Sequence, residues 1–419
     1  MNHTPLLLTS TTADLGFQRA FYEDLHEHPD LSGQERATAA RIEERLAHYD
    51  CEVHTHIGGF GIVAIFRNGP GPVVLMRADF DALPVKEDTG VDFASTRVQA
   101  RPDGSTAPVM HACGHDMHTT ALMGVCATLD ADRDRWNGTF IALFQPSEEN
   151  GVGADAMIAD GLASIIPKPD VCFGQHIMPG RAGEVQTMAG GQLAAADSIR
   201  ITIPGVSAHG SMPHKAVDPV YVAAMIIIRL QGIVGREVDP NEFAVITVGS
   251  VRAGEVNNII PESAQLQLNC RFYNDAVKKR VLAAIQRVVK AECTASGCPA
   301  APSFEFFSHA EVTDNSTEVF DRVRPIFDKV FGAKSVEAKR STVSEDFSHI
   351  PRALGVPYMF WFIGCTPHDV WDNAVANGTV DEDVPVNHMP TFLPDYEPTV
   401  ESATRAGVAA ALTYLARQQ

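Results

Sequence analysis

Positive charge is scarce in this chain. Against 52 aspartates and glutamates it has 33 lysines and arginines, a formal net charge of −19 over 419 residues. A nucleic-acid partner needs a clustered basic face, and no basic run is present, so nucleic acid is not expected to bind. An anionic small molecule is not excluded, because it needs only one or two local cations. Long apolar runs are also missing: none approaches the ~20 residues that cross a bilayer. The start, Met1 to Leu8, has a short apolar patch with no basic segment before it and no convincing cleavage site, which reads as an untargeted, cytoplasmic start. The eight cysteines (Cys51, Cys113, Cys126, Cys172, Cys270, Cys293, Cys298 and Cys365) are too few for a disulfide framework in a chain this long. Most sit in apolar segments and read as reduced core residues. Internal repeats and low-complexity segments are absent.

What is present is a chain too long for one ordinary core, which implies two domains. Residues 13 to 49 read as helical with a break at Pro29, and Ser32 with Glu35 reads as a capping box for the second helix. Strand-like runs follow at Cys51 to Thr55, Gly61 to Phe66, Val73 to Met76, Thr139 to Phe144 and Asp170 to Gly174, with helices from Asp116 to Leu129 and Gly153 to Asp160 between the later ones. Alternating strands and helices predict an α/β sheet with its chemistry at strand ends, and Asp79, Glu148 with Glu149, and His176 each follow a strand-like run. Near Gly190 the texture changes to a β-α-β-β-α order ending in the helix Asp275 to Cys293, which suits a smaller α+β (ferredoxin-like) insertion. The expected organisation is therefore a catalytic domain in two parts, 1–189 and 303–419, with an inserted lid or dimerisation domain over 190–302.

Two motifs carry the chemistry. Met110-His111-Ala112-Cys113-Gly114-His115-Asp116-Met117-His118 packs a thiol and imidazoles into a glycine turn, and Gln145-Pro146-Ser147-Glu148-Glu149 sets adjacent carboxylates after a buried strand. Soft and borderline ligands beside a spare carboxylate suit a hydrolytic metal site, where one group stays free to move a proton. Each half has a plainer alternative: Cys113 and His115 as a buried thiol beside a helix-capping imidazole, Glu148-Glu149 as a solvated acidic corner. His54 and His56 read as a wet strand face, and Cys293 with Cys298 lacks the second pair a metal knuckle needs. His111, His118 and His214 sit beside the motifs and are not expected to be ligands.

At this level of detail the chain resembles the dinuclear-metal amidohydrolase and carboxypeptidase family, in the branch of hippurate hydrolase and the plant auxin–amino-acid conjugate hydrolases. The resemblance runs in order through His26-Glu27-His28-Pro29, Arg77-Ala78-Asp79-Phe80-Asp81-Ala82-Leu83-Pro84, His111-Ala112-Cys113-Gly114-His115-Asp116, Glu148-Glu149, Gly174-Gln175-His176, Ala208-His209, Asn258-Ile259-Ile260-Pro261, Ser344-Glu345-Asp346-Phe347 and Asn387-His388. It implies the metal-dependent aminopeptidase-like fold and two divalent metals bridged by Cys113. One metal would also take Glu149 and His388, the other His115 and His176. Zinc or manganese are the expected ions, with cobalt or nickel able to serve. More distant relatives place a ligand His where Arg77 stands; Arg77 cannot bind a cation, and Asp79 is expected to orient a ligand.

The same resemblance implies that Glu148 takes a proton from the attacking water and returns it to the departing amine. His209 would reach into the active site of a homodimer partner and stabilise the oxyanion, while Asn258 and Arg271 would contact the substrate's carbonyl or carboxylate. Leu268-Asn269 departs from the Gly-Thr usual before that arginine. Met117 and Met389 stand where relatives carry small residues and are expected to reshape the pocket rim. The implied activity is hydrolysis of N-acyl or N-aroyl amino acids, such as hippurate or N-acetyl amino acids. A carboxypeptidase or dipeptidase using the same centre is the alternative.

Overall fold

The structure, a computed structural model, describes residues 12–101 and 104–417. The apolar patch at Met1 to Leu8 lies outside them. The chain forms two compact units: one takes the described residues up to Gly190 with Asp314–Lys339 and those from Asp346 onward, the other Gly191–Thr313 with Arg340–Glu345.

The first unit is built on an eight-stranded sheet. Its strands are β1 (Glu52–Ile57), β2 (Gly61–Asn68), β3 (Val73–Asp79), β4 (Gly138–Gln145), β5 (Val171–Arg181), β6 (Val185–Thr187), β7 (Ser335–Glu337) and β8 (Tyr358–Thr366), in the order β1-β2-β4-β3-β5-β8-β6-β7. The central strands β4, β3, β5 and β8 run parallel. Every residue of β4 and of β8 is buried. Such continuous apolar runs are expected of strands covered on both faces by helices. Helix α3 (His115–Ala131) is buried from His115 to Leu129 and packs with the long helix α4 (Tyr396–Leu415).

Upstream, α1 (Phe17–Glu27) and α2 (Arg36–Leu46) flank the break at Pro29. The expected capping box is not formed. Asp30 caps α2 instead, its Oδ2 accepting from the amides of Ala37 (2.9 Å) and Thr38 (3.0 Å). Ser32 and Glu35 have other partners, Ser32 Oγ donating to Asp81 (2.7 Å) and Glu35 accepting from Ser147. Partners distant in sequence engage Ser32 and Glu35, and the nearby Asp30 supplies the cap.

The second unit is a four-stranded antiparallel sheet in the order Ala244–Ala253, Ser263–Phe272, Ala195–Pro204, Ser303–Ala310. Strict alternation of buried and half-exposed residues along Ser263–Phe272 gives one apolar face, which the helices Pro219–Glu237 and Asp275–Ala295 cover. Both helices are capped by side chains, Asp218 accepting from Val220 (2.9 Å) and Asn274 from Ala276 (2.7 Å). The sheet continues past Pro302, because Ser303–Ala310 pairs with Ala195–Pro204, so this unit ends at Thr313 and not near 302. The α/β unit with its smaller α+β insertion is the fold class expected. Pro219–Glu237 is long and apolar enough to cross a membrane, contrary to the reading that no run approaches that length, yet its Val222, Ala223, Ile226, Leu230 and Ile233 are built into this unit's core.

Candidate active site

The parallel strands of the first unit bring their carboxyl ends to one edge of the sheet, where α/β proteins collect their chemistry. Asp79 ends β3 and pairs with Gln145 at the end of β4. Arg77 pairs with Gly174 of β5, which carries His176 to the level of Asp79. After β4 the backbone turns at Ser147, in the left-handed region with φ 56°, and presents Glu148 and Glu149. Cys113 and His115 flank Gly114, which has φ 80° and precedes α3. This left-handed conformation favours glycine, and a Cβ there, 2.2 Å from Ile177 Cδ1, would also have to push that side chain aside. His388 is also left-handed, φ 72°, its amide donating to Ala112 O at 2.8 Å. Among the described residues only three other than glycine have positive φ, and two of them, Ser147 and His388, stand at this cluster.

These elements bring together every predicted site residue of the first unit. Cys113, Glu149 and His388 form one group of close donor atoms, and Asp79, His115, His118 and His176 another; His115 with Glu148 and Glu149 links them. Glu149 Oε1 lies 3.4 Å from His388 Nε2 and 3.8 Å from His115 Nε2. Cys113 Sγ is 3.5 Å from His176 Nε2, and Glu148 Oε2 is 3.9 Å from His115 Nε2. Two donors sharing one ion at about 2.0–2.3 Å each stand about 3.3–3.8 Å apart, so the spacings suit a cation held between donors. His115 Nε2 and Glu149 Oε1 are buried with no hydrogen-bond partner, an arrangement a divalent ion would complete.

The ring nitrogens divide into used and available ones. Ile177 N–H donates to His118 Nε2 (2.9 Å), so His118 carries its proton on Nδ1 and gives it to Asp79 Oδ1 (2.5 Å). With both nitrogens occupied His118 has no lone pair for a metal. His176 gives its Nδ1 proton to Ile177 O (2.7 Å), which leaves Nε2 as a lone pair facing Cys113. His115 Nδ1 faces Asp81 Oδ1 at 3.2 Å, which again leaves Nε2 inward.

Charge balance favours a cation as well. Burial, then Glu149 and Glu148, push the Cys113 thiol well above its ordinary range. Burial opposes charge on His115, yet Asp79, Asp81 and Glu149 together raise it to about 10. Negative charge inside a dry wall calls for a positive group between the donors. Arg77, 1% exposed, supplies one outside the donor ring: Nε donates to Gln145 Oε1 (2.9 Å), NH1 to Asp79 Oδ2 (2.7 Å) and NH2 to Asp346 Oδ1 (3.1 Å). Burial opposes ionisation of Asp79, but Arg77, His115 and His118 hold it well below the usual carboxylate range. Asp79 therefore orients His118, which bears no lone pair, and the residue hydrogen-bonding toward His115 is Asp81.

Sequence reading gave Asp81 no role. It joins the site at three points: His115, Ser32 Oγ, and the amide of Glu149 at 3.0 Å. Its signal was the Asp79-Phe80-Asp81 alternation, which turns two carboxylates to one side about a buried phenyl ring. His26 is likewise a residue to which the sequence assigns no role. It bridges Asp116 (Nδ1 to Oδ2, 2.6 Å) and Glu87 (Nε2 to Oε1, 2.9 Å), and despite burial these carboxylates raise it to about 10. Met117 is fully buried in the core, not on a rim; Met389 is exposed.

The remaining candidates lie in the second unit. His209 and Asn258 share a small ladder, Ala208–His209 against Ile259–Ile260, closed by Gly210 N donating to Asn258 O (2.7 Å). His209 is exposed, its Nδ1 2.8 Å from Ser211 Oγ. Arg271 is half-buried, donating from Nε to Asn269 Oδ1 (2.9 Å) and from NH1 to Ser344 Oγ. Asn269, where the sequence departs from its relatives, thus braces the guanidinium.

Comparison with known proteins agrees with this centre. Residues 75–393 match the profile of peptidase family M20/M25/M40. Over 340 residues the chain is 34% identical to hippurate hydrolase of Campylobacter jejuni, covering 80% of this chain and 85% of that protein. It is 32% identical over 360 residues to N-acetyl-L-cysteine deacetylase of Bacillus subtilis (85% and 82% covered), and 32% over 368 residues to thermostable carboxypeptidase 2 of Saccharolobus solfataricus (86% and 89%). The solved structure of a dinuclear metal-binding peptidase of the M20 family from Bacillus subtilis superposes with a TM-score of 0.75 at 26% identity, over 95% of this chain and 98% of that one. The chain belongs to peptidase family M20/M25/M40, as a metal-dependent hydrolase of amide or peptide bonds.

Proposed function

We propose that the chain is an N-acyl-amino-acid amidohydrolase, releasing a carboxylic acid and an amino acid from hippurate-like or N-acetylated substrates. The observation that carries this reading is a ring of donors with two buried unpartnered atoms, His115 Nε2 and Glu149 Oε1, beside a further carboxylate. Two relatives at 32–34% identity bear names of deacylating enzymes. In this reading Cys113, with Glu149 and His388 on one side and His115 and His176 on the other, would hold two divalent ions. Zinc or manganese fits the thiolate, imidazole and carboxylate set, with cobalt or nickel as substitutes. When bound, the ions polarise the scissile carbonyl and make water more acidic.

Glu148 takes the proton of the attacking water and later delivers it to the leaving amine. Its neighbour Glu149 cannot share that task while it holds a metal. Asp81 fixes His115, keeping its inner lone pair aimed, and Asp79 holds the neighbouring His118 in place. From the second unit, His209 stabilises the tetrahedral oxyanion across a homodimer, Asn258 contacts the carbonyl, and Arg271 pairs with the amino-acid carboxylate. The two units accordingly divide the work: metals in the first unit, substrate contacts in the unit of Gly191–Thr313 and Arg340–Glu345.

The test is an assay on hippurate, a set of N-acetyl amino acids and a dipeptide panel, with chelator and then with each metal restored. Hydrolysis of acyl amino acids that disappears on chelation and returns with about two ions per chain is the expected result. Faster turnover of dipeptides would favour the carboxypeptidase or dipeptidase reading, which the 32% identity to a carboxypeptidase keeps open. Full activity in a demonstrably metal-free preparation would overturn both.

A further inference from the structure

Glu35 lies far in sequence from the metal cluster and is not a donor to it. Its carboxyl is fully buried, and a single oxygen, Oε1, accepts from Gly33 N (2.7 Å), Ser147 N (2.9 Å) and Ser147 Oγ (2.9 Å). Ser147 is the left-handed residue immediately before Glu148. A residue other than glycine in that region costs roughly 1–2 kcal/mol, so it persists only where partners hold it. On the other side of Glu148, the amide of Glu149 is held by Asp81 Oδ2 at 3.0 Å. Glu148 therefore stands between two residues pinned by different carboxylates. Asp81 also takes Ser32 Oγ (2.7 Å), so one short segment, Ser32 to Glu35, secures both ends of the turn.

We infer that Glu35 is a positioning residue for the general base: it locks Ser147 in its left-handed conformation and so fixes where Glu148 points. This rests on the assignment of Glu148 as base. Charge is not what Glu35 contributes. Burial, then Asp81, raises its carboxyl to about 7, and the three bonds need only an acceptor oxygen. An amide oxygen at the same place does the same work. Glycine at 147 adopts positive φ without the steric penalty that serine carries, so the turn depends less on the lock.

These properties give an experiment that ordinary destabilisation does not imitate. The variants are Glu35→Gln, Glu35→Met, the double variant Glu35→Met with Ser147→Gly, and Glu148→Ala in parallel, each measured for kcat, KM and metal per chain. Glu35→Gln is expected within about threefold of the parent in kcat. Glu35→Met keeps the volume but accepts nothing, and kcat should fall about 10- to 100-fold, the scale of a small misplacement of a catalytic group. KM and metal content should hold, because Glu149 keeps its own anchor. Adding Ser147→Gly should return at least about a third of the parent kcat. Where Glu35→Met does not fold, Glu35→Asp, which cannot reach Ser147, is expected to show the same loss. Full turnover in Glu148→Ala overturns the base assignment itself. A dead Glu148→Ala beside a fully active Glu35→Met or Glu35→Asp overturns the role of Glu35 alone. Metal loss in parallel with kcat, or no recovery in the double variant, overturns it too.

Discussion

Replacing Arg77 by methionine tests the polar support beneath the site. The guanidinium is 1% exposed and reaches three side chains, Gln145, Asp79 and Asp346. Methionine keeps the apolar stem and leaves two buried carboxylates without their cation. Removing one partner of a buried ion pair costs about 3–5 kcal/mol, mostly the penalty of the charge left behind. Two orphans do not double that figure here, because each keeps other donors: Asp79 has His118 Nδ1 (2.5 Å), and Asp346 has Gln145 Nε2 (2.7 Å) and Ala154 N (3.1 Å). At about 2–4 °C per kcal/mol for a unit of roughly this size, the thermal transition should fall by about 6–20 °C. The measurement is calorimetry at fixed protein and fixed free metal, since ligands that bind the native state raise the transition by mass action. Arg77→Lys should fall between parent and Arg77→Met, because an ammonium is a point charge that cannot fork to three acceptors. A transition for Arg77→Met within about 2 °C of the parent would refute the reasoning, since the figure of several kcal/mol follows from burial and pairing alone.

Other variants separate roles within the site. Glu148→Ala should keep its metal and lose at least about 10²-fold in turnover, whereas Glu149→Ala should lose metal; identical metal content in the two would refute the division. His26, raised to about 10 by Asp116 and Glu87 against its burial, holds its proton in the folded state over a range where the unfolded chain does not. Its stabilisation is complete below the unfolded value near 6.5 and is lost as pH rises toward 10, so thermal stability should decline across that window and His26→Gln should flatten the decline. Co-expressing Glu148→Ala with His209→Ala should return roughly a quarter of parent activity if sites are shared across a two-fold dimer, and nothing if each chain works alone.

Much of this molecule could be read from the residues because its signals are local. A strand buried on both faces reads as an unbroken apolar run, and Thr139 to Phe144 marked β4 with only its ends missing. Cys113-Gly114-His115 announced a turn because φ 80° at Gly114 is a property of glycine itself. What escaped depends on contacts across the fold. Ser32 and Glu35 have the spacing of a capping box, yet their partners are Asp81 and Ser147, 49 and 112 residues away. Asp30 took over the cap, and no sequence rule ranks two acceptors only two residues apart. Ser303–Ala310 was assigned to the wrong unit for the same reason: strand pairing is decided by a partner more than a hundred residues earlier.

The departures from local rules concentrate where the metals are proposed to bind. Ser147 and His388 hold left-handed backbone without being glycine, and His115 Nε2 and Glu149 Oε1 are buried without partners. Each of these is unfavourable by itself, by about 1–3 kcal/mol for the strained residues and by a similar amount for a lost hydrogen bond. Three of the groups beside them are fully engaged: His118 uses both nitrogens, Arg77 reaches three side chains and Asp81 uses both oxygens. Groups engaged in this way orient the neighbouring donors, as the shell around a metal site does. Binding of the proposed ions would offset the strain at Ser147 and His388, so the thermal transition is expected to rise with metal loading.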